Sequence, residues 1–79
     1  MLGLYATVGR TAFEVENWEQ VSRAYRDYND HRGFGASQAP ACLIIDDRGT
    51  VQYHCSYNGK IWRGERYVAG AKPVYVPQH

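Results

Sequence analysis

The sequence predicts an α+β fold: an antiparallel sheet of about four to five strands with one helix, over about residues 17–32, packed on one face. Three observations carry this. An apolar stripe at helical spacing follows a good helix cap, several short alternating runs are separated by turn signals, and 79 residues leave room for one domain, residues 1–79.

The helix is the clearest element. Asn17 is a favoured N-cap, and Gln20 stands three residues on, as in a capping box. Trp18, Val21, Tyr25 and Tyr28 then recur at spacings of three and four, which places them on one stripe. Arg23, Arg26, Asp27 and Asp30 fall on the wet side, with Arg23 and Asp27 spaced to pair. His31 and Arg32 suit the negative end of the helix, and Gly33 is the residue expected to end it.

The strands are read from alternation and turns. Leu4–Val8 and Thr11–Glu16 flank Gly9-Arg10, a two-residue turn of type II′, with Phe13 and Val15 on one face of the second run. Residues 34–40 form a loop without the Lys that a phosphate-binding loop needs. Ala41–Ile45 reads as a buried strand and Asp46–Gly49 as a turn. Thr50–Tyr57 and Lys60–Arg63 form a hairpin about Asn58-Gly59. A two-residue turn there sets Cys55 opposite Trp62 and Ser56 opposite Ile61. Val51, Tyr53, Cys55, Tyr57 and Trp62 then share the face that receives the helix, and Gln52, His54, Ser56 and Arg63 show on the other. The register of the Asp46–Gly49 hairpin is open: a four-residue loop turns Cys42 and Ile44 to the core, a three-residue loop with a bulge turns Leu43 and Ile45. After Arg63, the glycines and prolines of residues 64–77 punctuate a tail that adds an edge strand or wraps the domain. One helix covers one face, and the opposite face is left as a binding surface or a dimer seam.

A domain this small buries only about 60% of its unfolded surface and needs a dense core, a partner or a staple. Seven Tyr, two Trp and two Phe make up 14% of the chain. That exceeds what a small core uses, and such rings are favoured where a partner later covers a surface. No apolar run is long enough to span a membrane. Residues 1–5 lack the features of a signal peptide, which points to the cytoplasm and to reduced Cys42 and Cys55. Net charge is +1 but uneven: residues 1–47 hold four Arg and seven acids, residues 48–79 five bases and one acid. Seven of the nine bases are Arg, the better residue for planar recognition of carboxylate or phosphate.

Catalytic and metal signals are weak. His54 and Cys55 are adjacent on a strand and point to opposite faces, and no Cys-x-x-Cys pair exists, so no metal or other cofactor is expected. A Cys42–His54 nucleophilic pair lacks a third, orienting group, and the chain is not expected to be an enzyme. A Cys42–Cys55 disulfide would be strained unless the two residues sit directly opposite. Asp46 and Asp47 are ordinary turn residues. The feature left is the basic, aromatic C-terminal half, which mixes rings and cations in the manner of protein hot spots and of surfaces that stack on bases. Its near-neutral overall charge favours a protein partner over nucleic acid.

The run from the capped helix through Gly33-Phe34-Gly35-Ala36-Ser37 to Ser56-Tyr57-Asn58-Gly59-Lys60-Ile61-Trp62 resembles a type of small protein encoded by phages, plasmids and neighbouring bacterial genes. In size and make-up the chain also resembles the small anti-CRISPR proteins that phages use against type I systems. This resemblance implies a non-enzymatic inhibitor in the bacterial host cytoplasm. It would bind a subunit of a type I CRISPR-Cas surveillance (Cascade) complex and block DNA binding or nuclease recruitment. By their charge and rings, Tyr57, Lys60, Trp62, Arg63 and Arg66 are the expected partner-binding residues. The alternative is a small nucleic-acid-binding or regulatory module using the same surface, and a homodimer through the uncovered sheet face is a further expectation.

Overall fold

The computed structural model describes residues 3–77. Five strands and one helix follow in the order β1 (Leu4–Val8), β2 (Thr11–Glu14), α1 (Trp18–Arg32), β3 (Cys42–Asp46), β4 (Val51–Cys55) and β5 (Ile61–Arg63). The sheet order is β2-β1-β3-β4-β5, with every neighbouring pair antiparallel. Strands β2 and β3 therefore lie on either side of β1, and the helix carries the chain between them. The α+β class and the single helix on one sheet face are as the sequence predicts.

Local chemistry explains the helix ends. The Asn17 side chain accepts from the Gln20 amide at 2.8 Å, and the Gln20 side chain accepts from the Glu16 amide at 2.7 Å, one residue earlier than a standard capping box. At the other end Gly33, at φ 69°, donates to the Asp30 carbonyl, and Phe34 donates to that of Asn29. This is a Schellman motif, and the Phe34 ring packs on Tyr28 as such motifs favour. Arg23 pairs with Glu19 at 2.8 Å instead of with Asp27, so that expectation is corrected; the i,i+4 spacing is met toward the N-terminus.

Residues that oppose one another line up in rows across the sheet. Val8, Cys42, Cys55 and Ile61 form one buried row, and buried Ala6 and Ile44 with half-buried Tyr53 form another. Over them lie Val21 and Tyr25, with Trp18 meeting the Tyr53 ring edge-on at 4.7 Å. The predicted stripe is thus the packed face. Ser22 and Asn29 are buried polar members of that face, which the apolar pattern does not reveal.

The C-terminal hairpins correct the sequence reading. Ser56 donates to the Lys60 carbonyl, and Gly59 donates back to that of Ser56. The loop is thus three residues, Tyr57-Asn58-Gly59, with Gly59 at φ 92°. A two-residue turn is not formed. This is a type I turn with a glycine bulge, and the extra residue turns every β5 side chain over. Ile61 opposes Cys55, Trp62 opposes His54 and Arg63 opposes Tyr53. Trp62 therefore lies away from the core, and Arg63 is on the Tyr53 side. Tyr57 is an exposed loop residue, not a core one.

The Asp46–Thr50 connection has the same form, with Gly49 donating to the Asp46 carbonyl. A three-residue loop would have turned Leu43 and Ile45 inward. A second irregularity intervenes: Ile45 pairs with Val51 and Ile44 with Tyr53, so Gln52 is the extra residue. The bulge restores Cys42 and Ile44 to the core. Val51, expected on the core face, instead opposes Ile45. In the tail, Tyr75 makes an isolated bridge to Ile61, which covers the free edge of β5 without adding a strand.

Gly59 links sheet and helix. A Cβ there would lie 2.6 Å from Ser22 Oγ and 3.0 Å from Arg26 Cδ, whereas one on Gly49 (φ 83°) would meet nothing within 4 Å. Gly59→Ala is expected to destabilise by about 3 kcal/mol, left-handed strain plus the displaced helix contact, and Gly49→Ala by about 1 kcal/mol, strain alone. Urea unfolding checks this, and equal losses would contradict the packing.

The Asp46 carboxylate accepts from the Thr50 and Arg48 amides and from the Gln52 side chain. These bonds, Thr50 first, hold its pKa below the ordinary value. A depressed folded-state pKa contributes stability above the unfolded value, about 3.9, and loses it as pH falls through the folded one. The gap in unfolding midpoint between wild type and Asp46→Asn is expected to be widest above about pH 4 and to narrow below it. A constant gap would show that the charge is idle.

Candidate protein-binding surface

The register that buries Ile61 puts another row on the far side of the sheet. Ala12, Thr7, Leu43, His54 and Trp62 stand side by side across all five strands. Tyr5, Ile45 and Val51 form a shorter row beside them. None of these residues belongs to the buried core. The single helix packs on the opposite face, so this one keeps Leu43, Ile45, Val51 and Trp62 only partly covered.

The polar groups of this face are held in place. Thr7 donates to the Leu43 carbonyl at 3.2 Å. His54 Nδ1 lies 3.0 Å from the Gly64 carbonyl, an acceptor only, so the proton sits on Nδ1 and Nε2 is left available. The Trp62 indole N–H donates to Ser56 Oγ at 3.3 Å. Tyr67 meets the Trp62 ring edge-on, at 5.1 Å and 88°, and is itself 57% exposed. The outcome is an apolar sheet face with an aromatic pair at one border.

The five sequence-selected residues go to three places. Trp62 is on the open face. Tyr57 and Lys60 lie at the hairpin end, where the Tyr57 hydroxyl donates to the Phe34 carbonyl at 3.0 Å. Arg63 sits on the helix side, its guanidinium 5.5 Å above the Tyr53 ring. Arg66 is exposed in the segment that leads to Tyr67. The fold brings Trp62 against Tyr67 and puts Arg63 on the other side of the sheet. The sequence places His54 on this face correctly and Arg63 there wrongly, and it leaves the β3 residues open, because Leu43, Ile44 and Ile45 are all apolar and carry no alternation.

Tyr57 belongs instead to a cleft of about 600 Å³ between the end of α1 and the hairpin, shared with Arg26, Asp27, Asp30 and Phe34. Asn29 is almost fully buried at its base, and neither of its side-chain polar atoms makes a well-formed hydrogen bond. It lies beside the Tyr25 hydroxyl, which donates to the Pro40 carbonyl at 2.5 Å. Burial is the main cause that raises the Tyr25 pKa, and Asn29 opposes it. The cleft holds charges of both signs, which select no single ligand chemistry.

Cys42 and Cys55 face the helix side, and His54 faces the other, so the sheet separates the thiols from the imidazole. Among the described residues no three His, Cys, Asp or Glu side chains gather to hold a metal ion, and no helix is long and apolar enough to cross a membrane.

The two sides of β5 have different energetics. Ile61→Ala removes a fully buried side chain and is expected to cost about 3 kcal/mol, whereas Trp62→Ala, on the open face, is expected to cost about 1 kcal/mol. Chemical denaturation of both variants checks this; the reverse order would return Trp62 to the core.

No known protein family, no curated protein and no solved structure matches this chain, so the residues of the open face, with Trp62 at their border, are what define the candidate surface.

Proposed function

We propose that this protein works by non-enzymatic binding, as an anti-CRISPR-like inhibitor that occupies a surface of a type I CRISPR-Cas surveillance complex in the bacterial cytoplasm. The observation that carries the binding reading is the uncovered sheet face bordered by Trp62 and Tyr67. A Trp and a Tyr at the border of a partly covered apolar patch are the residues that most often anchor protein partners. They are large, two-torsion side chains, and the Trp62 ring is already held by Ser56 and Tyr67, so little ordering cost remains on binding. Arg66, in the adjoining segment, adds a cation for an acidic rim on the partner. Type I complexes as the target rest on the resemblance of the sequence alone. Blocking DNA loading or nuclease recruitment follows if the face covers the surface those steps use.

The experiment is a pull-down of tagged protein against a purified type I complex, with and without nuclease. Retention of Cas subunits after nuclease treatment is expected, together with an affinity loss of about tenfold or more for Trp62→Ala and for Tyr67→Ala. Capture that vanishes with nuclease, and that falls steeply with salt, would replace this reading with a nucleic-acid-binding module. Capture that both variants leave unchanged would move the contact off this face.

A further inference from the structure

The row beneath the helix places Cys42 directly opposite Cys55 on neighbouring antiparallel strands. Both are buried, at 1% and 4% exposure. The kind of pairing follows from the hairpin bonds. Ser56 donates to Lys60 and Gly64 donates to Gln52, so the even-numbered residues of β4 direct their backbone groups toward β5. Cys55 therefore directs its groups toward β3, and Cys42–Cys55 is a hydrogen-bonded pair. The α-carbons of such pairs lie about 5.5 Å apart, inside the range that disulfides span. Facing positions alone do not relieve the strain that the sequence reading tied to register: the β-carbons of a hydrogen-bonded pair are wider apart than a relaxed disulfide wants, so closing the bond draws the strands together.

We propose that Cys42 and Cys55 are a redox modification site, at which a peroxide-class oxidant makes a reversible internal disulfide that ties β3 to β4 beneath the helix. One sulfur attacks the peroxide: an S–O bond forms, the O–O bond breaks and water leaves. The second sulfur attacks the first: the S–S bond forms, the S–O bond breaks and a second water leaves. Two thiols lose two protons and two electrons, and one hydrogen peroxide becomes two waters. The strain makes the bond readily reducible by small thiols. It also ties two neighbouring strands of the C-terminal meander, and a domain this small is the kind that a staple supports.

The surroundings set the rate. Hydrogen bonding with Cys55, and then burial, push the Cys42 thiol well above the ordinary range. Cys55 Sγ in turn donates to the Ser56 carbonyl at 3.5 Å. Oxidation therefore waits on brief opening of the helix from the sheet and is slow against that of an exposed thiol.

Reduced full-length protein is treated with stoichiometric hydrogen peroxide, denatured in N-ethylmaleimide and weighed by intact mass spectrometry. The expected product is a monomer lighter by two hydrogens, with no maleimide adduct, that dithiothreitol returns to a species with two adducts. Its Tm is expected to rise by about 5 °C over the reduced form. Cys42→Ala and Cys55→Ala should each keep one adduct after the same treatment. Should either variant fail to fold, the wild-type mass decides alone. Two adducts after peroxide, a gain of oxygen mass, or a cross-linked dimer would overturn the proposal.

Discussion

The structure depends on one constraint, the register of β4, set by two three-residue loops that each close on a glycine at positive φ. A strand has a side-chain period of two, so each added residue exchanges its faces. The Tyr57-Asn58-Gly59 loop puts Ile61 under the helix and Trp62 outside. The Asp47-Arg48-Gly49 loop alone would have put Leu43 and Ile45 inside, and the bulge at Gln52 reverses it. From these choices come the buried row from Val8 to Ile61, the facing thiols within it, and the apolar row on the other side.

The helix holds this register in place. Gly59 lies under Ser22 and Arg26, so the hairpin loop is gripped from above and a side chain there has no room. Tyr25 ties the helix to the sheet at a second place, where its hydroxyl donates to the Pro40 carbonyl just before β3. A chain of 79 residues has few such contacts to lose. Its second sheet face has no helix over it and meets the C-terminal segment at Trp62 and His54, which leaves an apolar surface bordered by aromatic residues open to a partner.

Much of this is legible in the sequence where the determinants are local. Asn17, the stripe from Trp18 to Tyr28 and Gly33 specify the helix, because caps and periodicity act within a few residues. The Gly9-Arg10 turn is likewise read correctly, with Gly9 at φ 58° and Val8 paired with Thr11. The C-terminal hairpin is not, because Asn-Gly serves both a two-residue turn and a three-residue loop with a glycine bulge. What separates them is the helix lying on Gly59, a contact between distant parts of the chain. Of the candidate site, Trp62 is legible as a contact residue but not its face, and the basic residues that the sequence groups with it are dispersed by the fold. Tyr5, Leu43 and Ile45 are not, since neither the bulge at Gln52 nor the faces of an unbroken apolar run leave a mark in the sequence.

The most direct test of the central claim, that Trp62 lies on the uncovered face, is a solution nuclear Overhauser experiment on the free protein. The indole protons of Trp62 should show cross-peaks to Ser56, His54 and Tyr67, and Ile61 should show them to Cys55 and Tyr75. Cross-peaks from Trp62 to Val21 or Tyr25 would contradict the register, and with it the assignment of the binding face.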